Sequence, residues 1–261
     1  MVTTPVRRRR LVPVVVGAAV AAGLGLGAAA LAGRPDGAAD ERTAAAPAEP
    51  TGPTGPAGAQ PPDLAADAPR IAFLGDSLTV GVGAPPGRGY APQTARALGW
   101  PIAVVDGVSG SGFVAPGLGR PMPDRVPAVV AAKPDVVVVA GGSNDVFGGY
   151  DAEAVGAATT ELLTELRAGL PDAAVVVLGP FPTSLAGVGA PDPVRDAVRE
   201  ATLAAEARWL DAGAVVASVV TTDADWDRYT SADGLHPNED GYRAMAHALA
   251  AELTELVGAA R

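Results

Sequence analysis

The sequence predicts an α/β domain in which helices cover both faces of a parallel sheet. Short runs of apolar residues alternate with longer segments whose apolar residues recur at helical spacing. The short runs are apolar at nearly every position, as in strands that are buried on both faces. Alternation of this kind builds strand–helix–strand units, whose strands are parallel. We therefore expect one doubly wound sheet of five parallel strands, in the order 2-1-3-4-5.

Each element of this arrangement is visible as a segment of the chain. The candidate strands occupy residues 70–74, 102–106, 135–140, 174–179 and 214–219. Three helices are marked by apolar stripes, which are Val155, Ala158, Leu162, Leu166 and Leu170; Val194, Val198, Ala201, Ala205 and Trp209; and Tyr242, Met245, Leu249, Leu253 and Leu256. The second helix begins at Asp192-Pro193, a pair suited to an N-cap and a first helical turn.

Residues 1–32 have the pattern of a signal peptide or an N-terminal membrane anchor. Four arginines, Arg7 to Arg10, precede residues 11–32, which contain no charged residue. A basic flank, an apolar run and a small-residue site are typical of a secretory signal. The run is also close to the ~20 residues that span a bilayer, so cleavage and anchoring both stay open. In both cases the arginines favour the cytoplasmic side, and we expect the rest of the chain to be exported.

Residues 33–69 form a second segment, rich in Pro, Ala and Gly and without aromatic residues. Such a composition buries too little apolar surface to offset the entropy of ordering the chain. We expect a disordered linker here, followed by a single folded domain over residues 70–261.

Composition excludes several classes of function. The net charge is −10, and an acidic surface repels phosphate backbones, so no nucleic-acid partner is expected. The chain has no Cys and only two histidines, His236 and His247, so no metal site is expected. His247 falls on the polar side of the last helix and is expected at the surface. We expect membrane contact only through the N-terminal segment, and the oligomeric state stays open.

Four short polar blocks follow the predicted strands. GDSLTVG at 75–81 follows the first strand, DGVSGSG at 106–112 the second and GGSNDV at 141–146 the third. DGLHPN at 233–238 lies between the fifth strand and the last helix. The carboxyl ends of parallel strands meet at one edge of the sheet, so these blocks are expected to converge there.

The blocks contain the groups that acyl transfer requires. Ser77 is the candidate nucleophile, and His236 is the candidate base that takes its proton. Asp233, three residues before His236, is suited to hold the imidazole in the required tautomer. The backbone N–H groups of Ser77 and Gly110 and the side-chain amide of Asn144 would bind the oxyanion.

Other residues in these blocks have more than one interpretation. Gly107 and Gly112 are rivals to Gly110 as the oxyanion donor of the second block. Asp76 and Asp145 are expected to accept hydrogen bonds from backbone groups in their own loops.

Taken together and in this order, the four blocks resemble those of the SGNH (GDSL) hydrolase family, over most of residues 70–245. The resemblance implies a flavodoxin-like three-layer α/β/α sandwich and metal-free, cofactor-free hydrolysis of carboxylic esters or thioesters. One departure is Asp106, which stands where many members have Asn. No G-x-S-x-G motif is present, which argues against an α/β-hydrolase fold.

The function expected from the sequence is that of an exported serine esterase with a small-molecule, glycan or lipid ester as substrate. The loops expected at the strand ends contain few large apolar residues, which favours short acyl groups, acetyl to butyryl. Trp226 and Phe147 are candidate substrate-binding residues, although Trp226 is equally well suited to pin its own loop. The alternatives are a lipase or phospholipase, an acyltransferase on cell-surface glycans, and a binding module that retains the fold.

Overall fold

The computed structural model describes residues 68–259. The predicted signal or anchor, residues 1–32, and residues 33–67 of the predicted linker lie outside the described residues. Within residues 68–259, no helix is long and apolar enough to cross a membrane.

The sheet has the predicted topology. Its five strands are β1 (Ile71–Gly75), β2 (Ile102–Gly107), β3 (Val136–Ala140), β4 (Ala174–Leu178) and β5 (Arg208–Leu210). They are all parallel and lie in the order β2-β1-β3-β4-β5, which confirms the predicted fold class.

Helices connect these strands and form the outer layers. They are α1 (Ser77–Val80), α2 (Tyr90–Leu98), α3 (Val126–Ala131), α4 (Ser143–Gly148), α5 (Ala152–Gly169), α6 (Pro193–Ala204), α7 (Ala212–Ala217), α8 (Asp223–Tyr229) and α9 (Glu239–Ala259). The Asp192-Pro193 start of α6 is confirmed, because the Asp192 carboxylate accepts from the Val194 and Arg195 amides and Pro193 is the first helical residue.

The predicted position of the fifth strand is wrong. Residues 214–219 fall largely in α7, whose start is capped by Asp211 through a hydrogen bond from the Ala214 amide. The strand is instead Arg208–Leu210, which the sequence analysis assigned to the end of the preceding helix through Trp209. That helix ends at Ala204, and Glu206 has a φ of 55°, which turns the chain back towards the sheet.

The central strands separate two apolar cores. In β1, Ile71 and Phe73 point to the core that includes Tyr90, Tyr242 and Leu249 of α2 and α9. Ala72 and Leu74 point to the core formed with α3, α5 and α6. Strand β2 lies at the edge, where Ile102 and Val105 are about two-fifths exposed, so the predicted burial on both faces does not extend to this strand.

The carboxyl edge of the sheet is shaped so that the first polar block can turn sharply after β1. A Cβ on Gly75 would lie 2.6 Å from the Ala140 carbonyl oxygen and would also collide with Thr79. Only glycine fits here, and α1 can therefore begin two residues later with Ser77 directly above the strand end.

Candidate active site

Ser77 is the first residue of α1 and is nearly buried, with 8% of its surface exposed. Asp76 caps this helix, because its Oδ1 accepts a hydrogen bond of 2.9 Å from the Leu78 amide. The cap fixes the backbone on both sides of Ser77 and therefore the direction of its hydroxyl.

A continuous chain of hydrogen bonds runs from Ser77 to Asp233. The Ser77 Oγ lies 2.9 Å from His236 Nε2, and His236 Nδ1 lies 2.7 Å from Asp233 Oδ2. The second carboxylate oxygen of Asp233 accepts from the Leu235 and His236 amides and from the Ser231 hydroxyl. The structure thus brings together the three residues that the sequence analysis singled out for proton transfer.

The environment of Asp233 keeps its carboxylate ionised. Partial burial acts to raise the pKa of Asp233, but hydrogen bonds from His236, Leu235 and Ser231 outweigh it and hold this pKa well below its usual range. An ionised Asp233 favours a proton on His236 Nδ1, which leaves Nε2 free to accept one from Ser77.

The loop that carries His236 is anchored by Asn238, the last residue of the fourth block. Its Nδ2 donates to the carbonyls of Arg228 and Thr230, and its Oδ1 accepts from the Asp240 and Gly241 amides at the start of α9. One side chain thus ties the loop to both neighbouring helices. No role was predicted for Asn238 from the sequence, although its position two residues after His236 is a usable signal.

Two residues that line the same cavity, Ser77 and Gly110, have backbone amides that are suited to bind an oxyanion. Within residues 68–259, the Ser77 and Gly110 N–H groups donate to no protein acceptor. The Asn144 Nδ2 donates to the Ser111 carbonyl at 2.9 Å and makes a longer contact of 3.4 Å with Asp76 Oδ2. One hydrogen of this amide therefore makes only a weak hydrogen bond, the one to Asp76.

The three glycines of the second block differ in their placement. Gly110 borders the same cleft as Ser77 and has a φ of 77°, a conformation that favours glycine. Gly112 donates its N–H to the Ala115 carbonyl at 2.8 Å, and Gly107 ends β2 outside the cleft. Of these three, only Gly110 lines the cleft, and within residues 68–259 its N–H has no protein acceptor.

These groups open onto one cavity, which we call the active-site cleft. It has a volume of about 290 Å³ and is lined by Asp76, Ser77, Leu78, Val82, Ser109, Gly110, Ser143, Asn144, Phe147, Phe181, Pro182, Thr183, Leu235 and His236. Phe147 is 58% exposed at its rim, as a substrate-binding residue would be. Trp226 does not line this cleft, and its Nε1 donates to the Gly234 carbonyl at 3.3 Å, which favours the pinning role.

Comparison with known proteins shows which family has this arrangement of polar blocks. Residues 73–244 match the GDSL-like Lipase/Acylhydrolase family. The chain belongs to this family. It is accordingly a serine ester hydrolase, in agreement with the sequence prediction. A comparison with curated protein sequences gave no match.

Solved structures share the fold of this GDSL-like domain. One is a family two carbohydrate esterase from Clostridium thermocellum, with a TM-score of 0.60 and 22% identity over 73% of this chain and 64% of that one. A psychrotrophic esterase from a Pseudoalteromonas species, inhibited by monoethylphosphonate, has a TM-score of 0.58 and 16% identity over 72% and 98%. A carbohydrate acetylesterase from Sinorhizobium meliloti has a TM-score of 0.55 and 17% identity over 72% and 99%.

The GDSL-like domain carries a buried carboxyl group next to Ser77, the candidate nucleophile. Asp76 is 2% exposed, and this burial raises its pKa from 3.8 to about 6, although the Leu78 amide and the nearby His236 act in the opposite direction. Its contact with Asn144 links the first and third blocks. From the sequence, Asp76 was expected to accept hydrogen bonds from backbone groups only. The contact with the Asn144 side chain was not predicted.

Asp145 and Arg125 hold the second block in place. The Asp145 carboxylate accepts from the amides of three successive residues, Phe113, Val114 and Ala115. These are backbone groups, as expected, but they lie in the segment after β2 and not in the loop of Asp145 itself. Arg125 is 4% exposed and forms an ion pair of 2.7 Å with Asp106. Asp106, the residue that departs from the family pattern, is thus paired with Arg125. This pairing was not predicted from the sequence.

No group of three or more His, Cys, Asp or Glu side chains within residues 68–259 is placed to hold a metal ion.

Proposed function

We propose that this protein is an exported serine esterase that hydrolyses short-acyl carboxylic esters through a Ser77–His236–Asp233 triad. The observation that carries the proposal is the unbroken hydrogen-bond chain from Asp233 through His236 to Ser77, which ends in the active-site cleft.

The geometry supports a two-step mechanism with an acyl-enzyme. Ser77 Oγ attacks the ester carbonyl carbon while its proton passes to His236 Nε2. The imidazolium is stabilised by Asp233 and returns the proton to the leaving alkoxide, so the ester C–O bond breaks and the acyl group stays on Ser77. A water molecule then gives a proton to His236 and attacks the acyl-enzyme, and the acid is released as Ser77 regains its proton.

The oxyanion of each tetrahedral intermediate would be bound by the Ser77 and Gly110 amides and the Asn144 side chain. The two amides have no protein acceptor within the described residues, so they need not break a hydrogen bond to bind the oxyanion. Donors that are in position before the reaction stabilise developing charge without a reorganisation cost.

The preferred substrate would be a short acyl group, acetyl to butyryl, on a polar alcohol such as a carbohydrate. The active-site cleft has a volume of about 290 Å³, at the small end of ligand sites. The exposed ring of Phe147 at its rim offers an apolar face against which a sugar could pack. Two fold neighbours are described as carbohydrate esterases, one of them an acetylesterase, which supports this substrate class.

Export is proposed from the N-terminal sequence. Arg7 to Arg10 and the uncharged residues 11–32 would direct residues 70–261 to the outer side of the cytoplasmic membrane, released or anchored. Protease added to intact cells should degrade the domain, or the medium should contain it. Recovery of the intact domain in the cytosol alone would contradict export.

The test of the catalytic proposal is a pair of substitutions assayed with p-nitrophenyl acetate. Ser77→Ala and His236→Ala should each remove nearly all turnover, because the members of a triad act as a unit. His247→Ala is the matched control, since His247 is exposed on α9, and it should retain full activity. A fluorophosphonate probe should label the native enzyme and not Ser77→Ala. Undiminished hydrolysis by Ser77→Ala would refute the mechanism.

A further inference from the structure

Phe181 occupies a position where several cavities of the domain meet. It follows β4 at the carboxyl edge of the sheet, and its backbone is fixed by one hydroxyl group. The Phe181 amide donates to Ser143 Oγ at 2.8 Å, and the same hydroxyl donates to the Phe181 carbonyl at 3.1 Å. Ser143 directly precedes Asn144, so the backbone of Phe181 is fixed to the third polar block, and Phe181 lines the active-site cleft together with Asn144.

Behind this ring lies a second cavity, which we call the apolar crevice. It has a volume of about 30 Å³ and is bordered by α7, α8 and α9, with walls that include Val216, Trp226, Ala244 and Met245. No charged residue lines it. A space with this lining favours hydrocarbon over water.

The apolar crevice and the active-site cleft have one lining residue in common, which is Phe181. A smaller void of about 10 Å³ lies between them and is bordered by Leu78, Phe181 and Met245. The ring itself is half-buried and packs on the core that contains Met245. The side chain of Phe181 therefore forms the partition between the reacting groups and the apolar crevice.

We propose that Phe181 is a specificity-determining residue, which limits the length of the acyl chain by closing the active-site cleft off from the apolar crevice. This inference rests on the proposed short-acyl esterase function. The acyl chain of a bound ester extends from a carbonyl carbon next to Ser77, and its distal carbons meet the Phe181 ring. Without the ring, those carbons enter the apolar crevice and become buried.

The experiment compares the native enzyme with Phe181→Ala on p-nitrophenyl acetate, butyrate, hexanoate and octanoate. The readout is the ratio of kcat/KM for octanoate to that for acetate. Each additional methylene that becomes buried raises kcat/KM about four-fold, so burial of two methylenes raises the ratio at least about ten-fold. Phe181→Leu, which keeps an apolar side chain on the same core, shifts the ratio in the same direction by less.

Two controls make the result specific to this partition. Phe147→Ala removes the other phenylalanine of the cleft, which does not line the apolar crevice. Because the proposed contact of Phe147 is with the alcohol and not with the acyl chain, this variant changes kcat/KM for all four esters alike and leaves the octanoate-to-acetate ratio unchanged. Ala244→Phe fills the crevice from α9, and in the Phe181→Ala background it returns the ratio towards the native value.

An unchanged ratio in folded Phe181→Ala and Phe181→Leu overturns the inference, as does an equal shift in Phe147→Ala. The native profile on its own tests the short-acyl function. The difference between the profiles of the native enzyme and the Phe181 variants tests the partition, so the two failures are distinguishable.

Discussion

The ion pair of Arg125 offers a prediction that joins stability to activity. Four hydrogen bonds leave its guanidinium: Nη1 donates to the carbonyl and carboxylate of Asp106, and Nη2 donates to the Gly75 carbonyl and Ser111 Oγ. These acceptors lie at the ends of β1 and β2 and in the second polar block. Arg125 therefore holds together the backbone on which Ser77 and Gly110 depend.

We expect Arg125→Ala to be strongly destabilising. Removing one partner of a buried ion pair costs about 3–5 kcal/mol, because the remaining charge and its neighbours lose their hydrogen bonds. For a domain of this size, that corresponds to a fall in Tm of about 6–20 °C. The free energy of unfolding would be measured by urea denaturation. An unchanged m value would show that the substitution alters the compactness of neither the native nor the unfolded state. The kcat of the folded variant should also fall, since Ser111 accepts from the Asn144 amide.

The matched control for this prediction is the surface pair of Arg208 and Glu252. Its atoms are as close, at 2.8 Å, but the two side chains are 50% and 29% exposed. Solvent screens such pairs, so Arg208→Ala should cost less than about 1 kcal/mol. The reasoning fails if Arg125→Ala costs no more than Arg208→Ala.

Two further predictions concern the neighbours of Ser77. Asn144→Ala should lower kcat by about 10²–10³, the usual effect of losing one oxyanion donor, with a smaller change in KM; a kcat within three-fold of the native value would exclude this role. The raised pKa of Asp76, about 6 against 3.8, means that the native state binds more protons than the unfolded state between these pH values. Its contribution to stability is therefore present below pH 3.8 and is lost as the pH rises through 6, by about 3 kcal/mol in all. Urea unfolding of the native protein and Asp76→Asn at pH 4 and pH 7 would measure this difference, and parallel pH profiles would contradict it.

The sequence by itself determined the central fold and the set of candidate reacting residues. Strands β1, β3 and β4 are apolar runs of the kind that is buried on both faces of a sheet, and β2 begins with four apolar residues before Asp106. Their alternation with helical segments predicts a parallel sheet. The polar blocks follow from local geometry. Asp233 and His236 lie three residues apart on one turn, and their hydrogen bond needs no contact from elsewhere in the chain.

The fifth strand was misplaced because local patterns do not separate a short strand from a short helix. Residues 214–219 are as apolar as any strand of the sheet, yet most of them form α7. The true β5 has three residues, one of them Arg208, and lies at the edge of the sheet. It is too short and too exposed to form an apolar run that could be recognised in the sequence. Periodicity over so few residues is ambiguous, and pairing with β4 decides the outcome.

Contacts between distant segments decided the rest of the site. Which glycine lines the cleft depends on how the second block folds after β2, since Gly107, Gly110 and Gly112 are equivalent in the sequence. The partner of Asp106 is Arg125, from a different segment, and Trp226 turned out to contact the loop of Gly234 and not the active-site cleft. These features depend on which side chains meet in three dimensions, and sequence spacing carries that information only for groups within the same turn.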